Sequence, residues 1–328
     1  MRVAILGAGA IGGFLASALA ESGLIVTVLA RGPHLDAIKS SGLRLRDASG
    51  QEIVTRPAAT DDPAALGRQD LLITTLKAPA LASVLATLPA ELRQGVPVIM
   101  AMNGVFWWYG QDFRAGGRPV DTQRLDPGGR LAAMLDPAQA LGAVIYSTNQ
   151  VIEPGLVLNR SPKNRYVLGG PTPIPGLEDL AARLSGPRVL FEPAADIRRQ
   201  MWHKLLRNLS SAPVSVLTGA RVRDINDDPG TAAIARALFL EGAAVAQSHG
   251  FAGLADEVDS VVAPGQGALQ QPSMRQDLNL ARPLEIETML AIVQDFGRGA
   301  GVATPVLDTV VPMIRLADRI ARATVAAP

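Results

Sequence analysis

The sequence predicts an α/β fold with two domains: residues 1–194, where strands and helices alternate around a parallel sheet, and residues 195–328, which are all helical. Three observations predict it. The chain has 328 residues, more than one hydrophobic core usually supports. Short apolar runs alternate with helical stretches in its first half, whereas long helical segments fill its second half. A predicted last strand, 189–191, meets Pro193, which marks the boundary.

The first predicted strand runs into a glycine motif. Gly7, Gly9 and Gly12 have the spacing G-x-G-x-x-G, between an apolar run and a helical stretch over 14–22. Gly7 permits a tight turn, Gly9 lets the backbone approach a pyrophosphate, and Gly12 allows close contact of helix and strand. The strand before and the helix after give the motif its specificity. We therefore predict a Rossmann-type domain whose cofactor-binding residues include Gly7, Ala8, Gly9, Ala10, Ile11 and Gly12.

The residue after the second predicted strand, 25–29, indicates which dinucleotide binds. Enzymes that use the unphosphorylated cofactor usually have Asp or Glu here to hold the ribose hydroxyls. This chain has Arg31. A guanidinium offers a planar fork of donors to a 2′-phosphate, so Arg31 favours NADP(H). An exposed turn with Gly32 and Pro33 would explain the same arginine without a ligand.

Two further buried strands are predicted over 70–76 and 96–102, with a helix over 78–88 between them. Ligands of open α/β sheets bind beyond the carboxyl ends of the strands. Lys77 and Asn103 follow these two strands, so both are candidates for the site. Residues 111–130 are predicted to form a loop, and residues 143–151 and 165–168 the strands of a hairpin-like extension.

Composition excludes several classes of function. The chain has 31 basic and 30 acidic residues and no basic run with interleaved aromatics, so nucleic acid and anionic membranes are not expected partners. It has no cysteine, and its three histidines are scattered and have no evident carboxylate partner, so we expect no metal site. No apolar stretch approaches the roughly 18–20 residues that span a bilayer. We expect a soluble, cytoplasmic protein.

The helical half has predicted helices over 198–217, 231–249, 283–296 and 305–321. Lys204 and Asn208 lie one turn apart on the first of them and could reach one small polar ligand. A nicotinamide enzyme needs a proton donor at the substrate oxygen, and lysine is the candidate here because cysteine is absent. A solvated helix face would show the same spacing.

A second polar stretch runs from Ser273 to Glu287. Ser273 with Gln276 would suit a helix cap. Pro283 suits the first turn of a helix, where Glu285 and Glu287 would interact favourably with its dipole. Taken singly, none of these residues identifies a substrate.

Taken together, these segments resemble the ketopantoate reductases (2-dehydropantoate 2-reductases), in which an NADPH-binding Rossmann domain is joined to a helical domain. The resemblance spans nearly the whole chain, and its motifs match in order and spacing. The first three motifs are residues 7–13, 75–78 and 102–105. The fourth consists of residues 202–205 with Asn208 and 218–219, and the fifth runs from Ser273 through 276–277 to 282–286.

The resemblance implies NADPH-dependent reduction of 2-dehydropantoate to pantoate, on the route to pantothenate and coenzyme A. It makes Lys204 the general acid at the ketone oxygen and Glu285 the residue that holds the substrate's hydroxyl. The residues that it places at the substrate are Asn103, Asn208 and Ser273. It places Lys77, again with Asn103, near the nicotinamide.

Two features depart from the family's pattern. At position 212 relatives commonly carry asparagine, whereas this chain has Ala212, so another 2-keto acid stays open as the substrate. The aromatic run 106–109 is also unusual, and it would suit a pocket wall, an oligomer interface or packing within the domain. A non-catalytic NADP(H) sensor is the alternative from another class, and a homodimer is a hypothesis for the assembly.

Overall fold

The computed structural model describes residues 1–326, apart from the side chains of residues 78, 79, 325 and 326. Its strands are β1 (Arg2–Leu6), β2 (Ile25–Leu29), β3 (Leu43–Arg46), β4 (Glu52–Thr55), β5 (Ala58–Thr60), β6 (Leu71–Thr74), β7 (Val98–Ala101), β8 (Arg114–Ala115), β9 (Arg118–Pro119), β10 (Ala140–Tyr146), β11 (Asn149–Glu153), β12 (Leu156–Asn159), β13 (Arg165–Gly169) and β14 (Leu190–Pro193). Its α-helices are α1 (Ala10–Glu21), α2 (Gly32–Ser41), α3 (Ala78–Thr87), α4 (Ala90–Arg93), α5 (Leu177–Leu184), α6 (Ile197–Thr218), α7 (Val222–Asp227), α8 (Pro229–Ser248), α9 (Val258–Val261), α10 (Ser273–Asn279), α11 (Ile292–Ala300) and α12 (Pro305–Ala326).

The described chain divides into two compact units. The first consists of Met1–Met102 and Asp126–Ile197, and the second of Asn103–Leu125 and the residues from Arg198 onward. The predicted boundary at residues 194/195 therefore lies close to the observed one. The prediction differs at 103–125, which it left in the N-terminal domain and which the structure joins to the helical unit.

The first unit is built on a sheet with the order β14-β13-β10-β7-β6-β1-β2-β5. Its strands pair in parallel, except that β10 and β13 are antiparallel. β1 lies inside this sheet, and its residues from Val3 to Leu6 are fully buried. A strand buried on both faces requires such a continuous apolar run. The predicted α/β class is confirmed.

A second sheet of the first unit, with the order β11-β12-β3-β4, packs on the other side of α1 from β1 and β2. Gly13 makes this close approach possible, because a Cβ there would lie 2.7 Å from Cγ2 of Val157 in β12. The prediction missed this sheet. It treated 143–151 as one strand, whereas β10 ends at Tyr146 in the large sheet and β11 begins at Asn149 in the small one.

The second unit is helical, and it includes the short β8–β9 ladder within the predicted loop 111–130. α8 packs against α7, α11 and α12. It also approaches α6 closely at Gly242, where a Cβ would lie 2.6 Å from a methyl of Leu209. The carboxylate of Glu241 accepts hydrogen bonds from the N–H groups of Val306 and Leu307 and so caps α12. Among the helices of residues 1–326, none combines the length and apolarity that a bilayer crossing demands.

The aromatic run 106–109 is buried within the second unit, which is one of the interpretations that the sequence left open. Tyr109 is fully buried, and its hydroxyl lies 2.8 Å from Nε1 of Trp202 and 2.8 Å from Nδ1 of His249. Its ring stacks on Phe296 and meets Phe113 edge to face. This buried cluster explains why residues 103–125 belong to the helical unit.

A second anchor of the same segment lies at Gly104. Its φ is +85°, and a Cβ there would lie 2.5 Å from the carbonyl oxygen of Thr288. The same oxygen accepts a hydrogen bond from the N–H of Val105 at 2.9 Å. Thr288 lies in a π-helical turn, Glu287–Ala291, so the predicted helix 283–296 starts later, at Ile286, and begins with this wider turn.

Gly104→Ala is expected to lower the free energy of unfolding by about 3 kcal/mol, because the methyl overlaps the Thr288 carbonyl and the left-handed backbone strains an L-residue. Gly253→Ala is the matched control: φ is +81° in the same unit, and a Cβ would meet nothing within 4 Å. In the control, the free energy of unfolding should fall by about 1 kcal/mol. Urea unfolding at pH 7 measures both, and equal losses would show that the contact with Thr288 contributes nothing.

Candidate active site

The glycine loop between β1 and α1 has the geometry that its sequence predicts. Gly7 has a φ of +99°, and a Cβ on Gly12 would lie 1.9 Å from the carbonyl oxygen of Gly7. Both positions therefore exclude a side chain. Gly9, by contrast, is exposed, and a Cβ there would meet nothing within 4 Å. Space is thus open beside the backbone where a ligand would approach.

Gly9 is also the N-cap of α1. It supplies no side-chain cap, and the first turn of this 12-residue helix has no acidic residue. The N–H groups at this end are suited to hydrogen-bond an anion, which the helix dipole favours as well. Ala8 is buried, whereas Ala10 and Ile11 are half-buried in the loop and first turn. A dinucleotide pyrophosphate fits this cradle.

The loop after β6 lies directly against the glycine loop. The hydroxyl of Thr75 donates to the carbonyl of Gly7 at 2.9 Å, and the Thr75 N–H donates to the Leu6 carbonyl at 3.1 Å. Lys77, two residues further, is half-buried at the N-cap of α3. The structure thus brings the loop of Lys77 to the glycine loop. Thr75 lies in the motif 75–78, but sequence reasoning gave it no role, because only the fold shows what its hydroxyl contacts.

Arg31 belongs to the same edge of the large sheet. The carbonyl of Leu29, the last residue of β2, accepts a hydrogen bond from the Gly7 N–H at 3.0 Å. Arg31 follows two residues later, as the N-cap of α2, and its side chain is exposed. An exposed guanidinium beside the glycine loop is complementary to a ribose 2′-phosphate.

Two of the predicted substrate residues meet in the second unit. The side-chain amide of Asn103 donates to a carboxylate oxygen of Glu285 at 3.4 Å, although 182 positions separate the two residues. Glu285 is half-buried and directly precedes the helix that begins with the π-helical turn. The contacts of Gly104 and Val105 with Thr288 fix both residues of this pair.

Lys204 and Asn208 are half-buried on α6, one turn apart. Burial, and to a smaller extent the nearby positive charge of Arg207, lowers the pKa of Lys204 to about 8. A charged amine that is poorly solvated gives up its proton more readily. At pH 7 most of Lys204 is still protonated, so the residue is suited to donate a proton.

Ala212, one turn beyond Asn208, is buried and packed within the protein. Its neighbour Ser211 offers no simple replacement for an asparagine, because its hydroxyl donates to the carbonyl of Arg207 within the same helix at 3.1 Å. Position 212 therefore contributes no polar group to the face of α6 that carries Lys204 and Asn208.

Ser273 is the first residue of α10, and its side chain is exposed. The capping interpretation was wrong: Pro272 occupies the N-cap, no side chain caps the helix, and the amide of Gln276 donates to the carbonyl of Gln271 instead. Because the hydroxyl of Ser273 makes no cap, it suits a ligand-binding role.

Two hydrogen bonds tether the segment around Ser273 to the end of α6. The side-chain amide of Gln271 donates to the carbonyl of Gly219 at 2.6 Å, and Arg275 donates to the carbonyl of Val216 at 2.9 Å. These bonds link Ser273 to the helix that holds Lys204.

Two other residues, Glu287 and His203, have partners that the sequence did not reveal. Glu287 forms ion pairs with Arg124 and Arg315, so it has a structural role distinct from that of Glu285. His203 lies 2.8 Å from a carboxylate oxygen of Glu257, which corrects the expectation that no histidine has a carboxylate partner. All three partners are distant along the chain, so no local pattern predicts them.

Comparison with known proteins identifies the family. Residues 3–107 match the family model described as Ketopantoate reductase PanE/ApbA, and residues 196–318 match its C-terminal counterpart. A 2-dehydropantoate 2-reductase from Mesorhizobium japonicum is 36% identical over 326 residues, which cover 96% of this chain and 97% of the relative.

Solved structures agree in fold. A candidate ketopantoate reductase from Ralstonia solanacearum MolK2 superposes with a TM-score of 0.87 at 36% identity, over 97% of this chain and 98% of that one. A D-mandelate dehydrogenase, solved with NADH and anilino(oxo)acetate, shares the fold with a TM-score of 0.80 at 20% identity, over 98% and 99% of the two chains. From these matches, the chain belongs to the ketopantoate reductase family, a family of oxidoreductases that act on 2-keto acids.

Proposed function

We propose that this protein reduces 2-dehydropantoate to pantoate with NADPH, in the synthesis of pantothenate and coenzyme A. The observation that carries the proposal is the contact of Asn103 with Glu285 in the unit that also holds Lys204, whose pKa is lowered to about 8. A homodimer is the proposed assembly and the cytoplasm the proposed compartment, which suits a chain without cysteine.

The first unit would hold the cofactor. Gly7, Gly9 and Gly12 shape the cradle for the pyrophosphate, Arg31 would bind the 2′-phosphate, and Lys77 would lie toward the nicotinamide. The bound cofactor supplies the hydride that the ketone carbon receives. No step in this scheme needs a metal ion.

Lys204 would act as the general acid. Negative charge develops on the ketone oxygen during reduction, and an ammonium group in a poorly hydrated site stabilises that charge and then gives up its proton. Because its pKa is about 8 rather than 10.5, the proton leaves with less penalty.

The remaining polar residues of the second unit would orient the substrate. The carboxylate of Glu285, held by Asn103, would accept a hydrogen bond from the substrate's hydroxyl. The amide of Asn208 and the exposed hydroxyl of Ser273 are uncharged donors for the substrate carboxylate. Such an arrangement selects a hydroxylated 2-keto acid.

A second candidate is the reduction of another 2-keto acid, and the buried Ala212 favours it, because it contributes no polar contact on the face of Lys204. Initial rates of NADPH oxidation with 2-dehydropantoate and a panel of 2-keto acids separate the two. We expect the highest kcat/KM with 2-dehydropantoate. Negligible rates with it beside a fast alternative would overturn the first assignment.

Lys204→Met is expected to lower kcat by roughly 10²- to 10⁴-fold, because it removes the proton donor. The affinity for NADPH should not change, and Lys39→Met, at an exposed lysine of α2, should retain full activity. In the wild type, kcat/KM for reduction should fall above about pH 8, where Lys204 loses its proton. Turnover of the variant at the wild-type level would exclude the acid role, whereas a wild type that binds NADPH and turns over no 2-keto acid would favour a non-catalytic NADP(H) sensor.

Arg31→Ala is expected to weaken the binding of NADPH by about tenfold or more, since it removes a charged contact to the 2′-phosphate. The affinity for NADH should change little. Titration of cofactor fluorescence with both nucleotides measures this difference. Equal losses for both would contradict the assignment of Arg31, and tighter binding of NADH by the wild type would overturn the preference for NADPH.

A further inference from the structure

The hydroxyl of Tyr109 hydrogen-bonds two buried side chains. Nε1 of Trp202 can only donate, so the Tyr109 oxygen accepts this bond. Burial lowers the pKa of His249 to about 4, so the ring is neutral at pH 7, and its Nδ1 lies 2.8 Å from the same hydroxyl. The three side chains thus form one hydrogen-bonded chain, from Trp202 through Tyr109 to His249.

These hydrogen bonds attach the segment 103–125 to α6. Trp202 lies on α6 two residues before Lys204. One turn earlier, the guanidinium of Arg198 donates to the backbone carbonyls of Tyr109 at 2.9 Å and Gln111 at 2.7 Å. The start of α6 is therefore attached to the segment at two levels.

The other end of the segment leads to the substrate residues. The Tyr109 N–H donates to the carbonyl of Phe106 at 2.9 Å, which closes a tight turn. Directly before this turn, the N–H of Val105 donates to the carbonyl of Thr288, and the side chain of Asn103 contacts that of Glu285. Seven consecutive residues thus connect the Asn103–Glu285 pair with the helix of Lys204 and Asn208.

We infer that Tyr109 is a positioning residue for the reduction: its hydroxyl holds α6, with Lys204 and Asn208, in register with the Asn103–Glu285 pair. The inference rests on the proposed function of these residues. Tyr109 itself is fully buried and acts through them. Small displacements of reacting groups cost large factors in rate, so one buried hydroxyl can matter for turnover.

A double-mutant cycle tests the inference. Tyr109→Phe keeps the ring and removes the hydroxyl, and it should lower kcat with 2-dehydropantoate about tenfold while the Kd of NADPH stays unchanged. In an Asn103→Ala background, most of this effect should disappear, because the group that Tyr109 positions is gone. The same tenfold loss in both backgrounds, or no loss in either, would overturn the inference.

Tyr166→Phe is the matched control, because Tyr166 is also a fully buried tyrosine but belongs to the first unit. Its turnover should equal that of the wild type. Trp202→Phe removes one of the two hydrogen bonds of the Tyr109 hydroxyl, and it replaces Tyr109→Phe in the cycle if that variant does not fold.

Hydrogen exchange gives a readout that needs no turnover. In Tyr109→Phe, peptides that contain residues 103–109 should exchange faster than in the wild type, whereas peptides of β1 and α1 should not change. Unchanged exchange at 103–109 would contradict the anchoring role. A wild type without reductase activity would refute the proposed function, whereas an active wild type with a fully active Tyr109→Phe variant would refute this inference alone.

Discussion

Residues 103–125 are held in the helical unit by two buried constraints, and the arrangement of the candidate site depends on them. One is the hydrogen-bond chain through the hydroxyl of Tyr109, and the other is the close packing of Gly104 on the Thr288 carbonyl. Both involve groups that would be costly to leave buried without partners or space. Because of them, Asn103 lies beside Glu285 and not merely at the end of a strand.

The two units have different physical properties that suit different parts of a hydride-transfer reaction. The first presents backbone N–H groups and an exposed arginine at the edge of its sheet, which are suited to phosphate groups. The second presents a half-buried lysine whose ammonium form is destabilised by poor solvation, together with a carboxylate and neutral donors. Poor solvation thus suits Lys204 to donate a proton, and the neutral donors suit a substrate carboxylate.

Sequence reasoning succeeded where the signal is local. The bounds of β2 were predicted to the residue, and the glycine spacing predicted the turn because Gly7 and Gly12 are required by contacts with each other and with the loop after β6. It failed where the partner is remote. Segments far apart in the chain are joined in the small sheet, in the contact of His203 with Glu257 and in the attachment of residues 103–125. The predicted cap at Ser273 was also wrong, because Pro272 occupies the N-cap of α10.

The central claim is that Lys204 delivers a proton to the substrate oxygen. A crystal structure of the complex with NADP⁺ and pantoate tests it most directly. The account predicts the Lys204 ammonium within about 3 Å of the C2 hydroxyl oxygen of pantoate, on the side of the nicotinamide C4. A lysine out of hydrogen-bond reach of that oxygen, with another acid in its place, would contradict it.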